Sequence, residues 1–69
     1  MTGIVKKFDM RGFGIIDSAD GSKVPFILSD VNNHFPLEPG QKVVFSVRRV
    51  KDRSFAENVT RTRDRLNVL

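Results

Sequence analysis

The sequence predicts an all-β chain, with five short strands folded as a small closed barrel or sandwich. Three observations carry this. Runs rich in Val, Ile and Phe recur at near-regular spacing through the 69 residues. Turn residues separate them, Asp20-Gly21 being the strongest signal. No segment sustains the i, i+3, i+4, i+7 apolar pattern of a helix over a useful length. A barrel also removes the sheet edges that so short a chain could not otherwise cover.

The elements follow in order. Gly3 to Asp9 (GIVKKFD) is the first strand and Gly12 to Asp17 (GFGIID) the second. Ser18 to Ser22 turns the chain into the third, Lys23 to Leu28 (KVPFIL), where Pro25 removes a ladder donor and so requires an edge or a ladder break. Ser29 to Gln41 reads as a long loop rich in Asn, Pro and Gly. Lys42 to Arg49 (KVVFSVRR) is the fourth strand, Lys51 to Ser54 a polar turn, and Phe55 to Thr62 (FAENVTRT) the fifth.

A chain of this size is one domain, close to the limit at which a single core holds. Ordering it costs on the order of 100 kcal/mol at about 1.5 kcal/mol per residue, so apolar residues placed outside the core need a reason. With no cysteine, disulfide scaffolds, thiolate zinc sites and cysteine nucleophiles are excluded. The stretch MTGIVKKFDM carries no apolar run like that of a signal peptide, and nothing approaches the roughly 20 apolar residues that span a bilayer. The expectation is a cytoplasmic protein with no membrane partner. Twelve Lys and Arg against eight Asp and Glu give a net charge of +4, which favours an anionic partner.

Alternation along the strands leaves too many apolar residues for one interior. In the second strand Phe13, Ile15 and Asp17 share a face and Gly14 and Ile16 the other. In the third, Phe26 and Leu28 share a face, with Pro25 and Ile27 opposite. The expected interior takes Ile16, Ile27, Val5, Val43, Phe45 and Val47. Phe13, Ile15, Phe26 and Leu28 then lie outside, with Lys6, Lys7 and Arg11 around them. Glycines beside Phe13 would leave its ring open to a flat ligand. Aromatic rings amid positive charge suit a single-stranded nucleic acid, whose bases stack for roughly 1–3 kcal/mol each. The alternatives are that the long loop covers this face and makes Phe13 and Phe26 ordinary core, or that the face is a dimer interface.

From Gly3 to Val59 the chain resembles the cold-shock domain, an OB-fold module that binds single-stranded RNA and DNA. "GIVKKF" resembles the family's first strand, G-x-V-K-W-F, and "RGFGII" its first RNP motif, K-G-F-G-F-I. "DGSKVPFIL" resembles the second motif, D-V-F-V-H-F. "FPLEPGQKVVFSV" resembles F-x-x-L-x-x-G-Q-x-V-x-F-x-V, and "AENV" the closing A-x-N-V. The other RNP-bearing fold, the RNA-recognition motif, places its second motif first and has intervening helices. The resemblance implies a five-stranded antiparallel OB-fold barrel over residues 1–60, followed by a basic and apolar tail, 61–69.

Carried over position by position, the resemblance makes Phe13 and Phe26 stacking platforms bordered by Phe8. Lys6 and Arg11 match basic positions that touch nucleic acid, and Phe35 in the long loop matches a ring that stacks a further base. The departures bear on affinity. Lys7 stands where the family has a tryptophan, Ile15 where it has the second RNP1 phenylalanine, and Leu28 where it has a histidine, with one residue missing nearby. The turn before Arg11 and the long loop are both shorter. Phe55 stands where the family has a polar residue and offers a ring in return. Two lost stacks amount to roughly 2–6 kcal/mol of gross stacking. The expected interface is therefore Lys6, Lys7, Phe8, Arg11, Phe13, Ile15, Phe26, Leu28, Phe35 and Phe55.

Nothing in the sequence patterns a catalyst, a cofactor site or a metal site. His34 is the single histidine and has no second ligand patterned near it. No Ser/His/Asp set, phosphate loop or paired carboxylate motif occurs. In the tail, Arg61, Arg63 and Arg65 alternate, as do Leu66 and Val68. This reads as a frayed end, a basic arm on nucleic acid, or a strand that pairs with another chain. The leading expectation is a monomeric binder of single-stranded RNA or DNA, acting as an RNA chaperone or as a regulator of transcription or translation. Dimerisation through the exposed face or the tail stays open. So does a rival reading, an OB-fold protein-interaction or regulatory module with weak nucleic-acid binding.

Overall fold

A computed structural model describes residues 1–32 and 36–62. Five strands form one antiparallel sheet: β1 (Thr2–Phe8), β2 (Phe13–Ser18), β3 (Lys23–Ile27), β4 (Lys42–Val50) and β5 (Arg53–Arg61). Their order is β3-β2-β1-β4-β5. β3 hydrogen-bonds only to β2 and stands at one end of that order, which tolerates Pro25. The sheet curls until β3 comes alongside β5, and a parallel bridge between Val31 and Val59 ties the two ends together. Each predicted strand is present, with ends moved by up to two residues. The polar turn predicted at Lys51 to Ser54 tightens to Lys51 and Asp52, with Val50 paired to Arg53. Where the third strand was expected to end and the loop to begin, Leu28–Asp30 makes one turn of 3-10 helix.

The core is one cluster: Val5, Ile16, Val24, Phe26, Val31, Leu37, Val43, Phe45, Ala56 and Val59. Alternation aims eight of these side chains inward from the five strands, and Val31 and Leu37 join them from the segment between β3 and β4. Two expected core residues are not in it. Val47 is 37% exposed, because the N-terminal segment bonds to β4 only as far as Phe45, which exchanges backbone hydrogen bonds with Met1, and β4 then runs on past the barrel. Ile27 is 40% exposed and Phe26 takes its place, for the reason given below.

A bulge shapes β5. Val44 pairs with Thr60 and Ser46 with Glu57, so Asn58 and Val59 together face the single residue Phe45. Asn58 adopts φ +53°, the left-handed region that Asn tolerates better than most residues. The bend returns Val59 to the core.

Candidate nucleic-acid interface

The site is built on β1, β2 and β3, and its layout turns on Lys6. Val5 pairs with Ile16, but the next pairs are Lys7 with Ile15 and Phe8 with Gly14. Lys6 is thus an extra residue in β1, and beyond it the inward and outward phases exchange. Val5 points in, Lys6 and Lys7 are both exposed, and Phe8 turns back toward the interior and is half-buried. Lys7, Ile15 and Pro25 form one outward row across three strands, with Phe13 and Ile27 paired beside it.

Phe26 corrects the sequence expectation. It is 1% exposed and belongs to the core, so it presents no face to a ligand. It pairs with Gly14, and a Cβ on Gly14 would collide with its ring, meeting Cε1 at 2.5 Å and Cζ closer still. The glycine that had suggested room for an incoming base makes room for this phenylalanine from within. Phe8 stacks on the same ring, with centroids 5.7 Å apart and planes 15° from parallel. Leu28, also expected outside, lies half-buried against the core, because the strand ends at Ile27 and the Leu28 N–H donates to the Gly12 carbonyl at 2.8 Å. Of the four apolar residues expected outside, Phe13 is exposed, Ile15 is half-buried, and Phe26 and Leu28 turn inward.

Phe13 keeps the expected place, 54% exposed at the start of β2. The turn before it is held by Asp9, whose Oδ1 accepts the N–H groups of Arg11 at 2.9 Å and Phe13 at 3.1 Å. Asp9 Oδ2 accepts from the Arg11 guanidinium at 3.3 Å. The Phe13 N–H is the chief reason that the Asp9 carboxyl lies below the usual aspartate value, and the N–H and guanidinium of Arg11 add to it. Gly12 closes the turn at φ +90°, a conformation that glycine adopts at little cost. The Arg11 guanidinium carbon then sits 5.9 Å from the centre of the Phe13 ring. That is within reach of a cation–π contact, and it sets a phosphate-binding group beside a stacking surface.

These side chains line one cleft of about 490 Å³. Of the residues expected at the interface, it brings together Lys7, Phe8, Arg11, Phe13, Ile15 and Phe55, with buried Phe26 as its base. Lys6 is exposed but does not line it. Leu28 lies in an adjoining hollow with Phe8, Met10 and Pro36. Phe35 and His34 lie outside the described residues, as do Arg63, Arg65, Leu66 and Val68 of the tail. Sequence reasoning missed Asp9, Pro25 and Ile27, which also line the cleft. A signal for Ile27 was present: Val24, Phe26 and Leu28 make an unbroken apolar row, whereas the opposite row contains Pro25 and suits the ligand side. Among the described residues no three His, Cys, Asp or Glu side chains gather as metal ligands. No helix among them is long and apolar enough to cross a membrane.

The family model described as "'Cold-shock' DNA-binding domain" matches residues 1–62. The chain is similar to the cold shock-like protein CspB of Yersinia pestis, with 44% identity over 86% of this chain and 90% of that one. The cold shock-like protein CspB of Escherichia coli K12 is 43% identical, over 86% and 89% of the two chains.

Proposed function

Because the chain belongs to the cold-shock DNA-binding domain family, we propose that it binds single-stranded RNA or DNA, without catalysis, through the cleft on β1, β2 and β3. The observation that carries this reading is Phe13, an exposed ring 5.9 Å from the Arg11 guanidinium on the outer face of a barrel whose own core is already filled. A base stacks on Phe13 and a second on Phe55, with Ile15 and Ile27 giving apolar contact between them. Lys6, Lys7 and Arg11 neutralise phosphates. Phe8 and Phe26 act from beneath by holding β2 rigid, and Leu28 holds the Gly12 turn. Phe35 is assigned a further stack.

Such a protein holds weak RNA structure open by mass action, because a ligand specific for the unpaired strand pulls the opening equilibrium. An RNA chaperone, or a regulator of transcription or translation, working as a cytoplasmic monomer with no cofactor, is the role that follows. The binding domain runs to the end of β5, where Arg61 is still paired with Val43, and the basic segment expected from residue 61 begins beyond it.

The test is fluorescence anisotropy of a labelled pyrimidine-rich single strand of seven nucleotides, titrated at two salt concentrations, with the matching duplex as control. Micromolar or tighter binding confined to the single strand supports the reading. Equal binding to the duplex sinks it. The second reading is a partner protein on the same face, favoured by the aliphatic side chains Ile15, Pro25 and Ile27 in the cleft. Phe13→Ala would then weaken that partner's binding and leave oligonucleotide binding unchanged.

A further inference from the structure

Where β5 stops, the outer face of the barrel carries a second hollow, which shares no residue with the cleft. It measures about 530 Å³, and Thr2, Ile4, Asp17, Ala19, Lys42 and Thr62 line it. Register explains its place. Ile4 pairs with Asp17 on one side and with Lys42 on the other, and the Thr62 N–H donates to the Lys42 carbonyl at 3.0 Å. These four residues form one outward row across β2, β1, β4 and the residue after β5. In the next outward row Thr2 pairs with Val44, and Val44 with Thr60. Ile4 and Val44 are therefore diagonal neighbours across the β1–β4 ladder, about 7–8 Å apart.

This face is left unfinished. Ile4 is 44% and Val44 39% exposed, two aliphatic side chains together in water on a chain with few to spare. Asp17 already holds Lys23 at 3.0 Å, whereas Lys42 enters no ion pair among the described residues. An occupant of the hollow would bring apolar groups to Ile4 and one negative charge to Lys42.

The sequence supplies such an occupant directly after Thr62. Residues 63–69, outside the described residues, read RDRLNVL. In an extended segment Asp64, Leu66 and Val68 face one way, and Arg63, Arg65, Asn67 and Leu69 the other. The first set is an acid followed by two aliphatics, the order in which Lys42 and Ile4 follow Thr62 across the sheet. Strands lie about 4.8 Å apart, so Ile4 is roughly 10 Å from Thr62 and Asp17 roughly 14 Å. Four extended residues span about 13 Å, which brings Leu66 to Ile4. Tethered at the edge of the hollow, the segment meets it at an effective concentration of about millimolar, an advantage that a second copy lacks.

We propose that residues 63–68 dock across this hollow on the same molecule, with Asp64 against the Lys42 ammonium and Leu66 and Val68 covering Ile4. Arg63 and Arg65 then face solvent on a part of the barrel that is not the cleft. The proposal is independent of what the cleft binds.

The test is nuclear magnetic resonance of the full chain as wild type, L66S/V68S and I4T. Wild-type protein should show nuclear Overhauser contacts from the Leu66 methyls to Ile4. L66S/V68S should abolish these contacts and move the amide signals of Ile4, Ala19 and Lys42, leaving Phe13 in place. I4T keeps a strand-forming residue in β1 and should send the Leu66 and Val68 signals to random-coil positions. Random-coil signals from Leu66 and Val68 in wild-type protein overturn the proposal. Contacts that vanish on dilution, with a dimer in sedimentation, also overturn it, because the occupant is then a second copy. L66S/V68S should bind a labelled single strand with wild-type affinity. Weaker binding would make the tail an arm on the nucleic acid and would likewise overturn the docked arrangement.

Discussion

Phe26 lies opposite Gly14 on the neighbouring strand, its ring filling the space that any side chain at position 14 would need. Phe8 stacks on the ring from the β1 side, so three strands meet around one aromatic group. Gly14→Ala should therefore destabilise the protein by about 1–3 kcal/mol, the usual cost of overpacking a filled core. Urea denaturation reads it as a lower midpoint at unchanged m-value. An unaltered midpoint would show that the ring is not held against Gly14.

Phe13 and Phe26 should separate by assay. Truncating a buried phenylalanine costs about 3–5 kcal/mol, so Phe26→Ala is a stability variant, fully unfolded or close to it. Phe13 is half in solvent, and Phe13→Ala should move stability by about 0.5 kcal/mol or less. The same change should weaken single-strand binding about 5- to 150-fold, the equivalent of one lost stack at roughly 1–3 kcal/mol. Chemical denaturation and anisotropy on the two variants check both halves.

Binding should depend steeply on salt. If about four phosphates are contacted, single-strand affinity falls roughly fiftyfold between 50 and 200 mM salt. A flat response would shift the energetics back to stacking alone.

Asn58 should resist substitution although its side chain is exposed. In the left-handed region most residues cost about 1–2 kcal/mol more than in their preferred conformation, whereas Asn and Gly do not. Asn58→Ala should lose about 1 kcal/mol in thermal or urea unfolding, and Asn58→Gly should lose less. Equal losses in the two variants would remove the backbone explanation.

Acid should loosen the turn that carries Arg11 and Phe13. The Asp9 carboxyl titrates lower in the folded chain than in the unfolded one, whose value is 3.8. The unfolded state then binds more protons across that window, so stability rises with pH there. The contribution is complete above pH 3.8 and is lost as pH falls through the lowered value. Amide shifts of Arg11 and Phe13 should report a transition below pH 3.8, absent in Asp9→Asn.

The strands and their order of occurrence were legible in the sequence because alternation and turn residues are local signals. Pro25 called for an edge or a ladder break, and β3 stands at an end of the strand order. The facing of β3 was marked only by Pro25 interrupting one of two apolar rows, a weaker signal than the resemblance that had placed Phe26 outside. The three-dimensional pairing of Phe26 with Gly14 decides between the rows. The bulge at Lys6 was hidden: two adjacent lysines read as surface in either phase, so nothing local marks the exchange that sends Phe8 inward and Lys7 out.

The pairing of β1 with β4 also has a consequence for synthesis. Gly3 waits for Val43, forty positions later in the chain. At about 5–20 residues per second, the ribosome leaves that side of β1 uncovered for roughly 2–8 seconds after its first residues are made. The N-terminal three strands can meanwhile pair as a meander, but its open border is free to recruit a neighbouring nascent chain. Crowded polysomes should therefore be the place where this small protein misassembles, and slowing translation before Lys42 should increase the insoluble fraction.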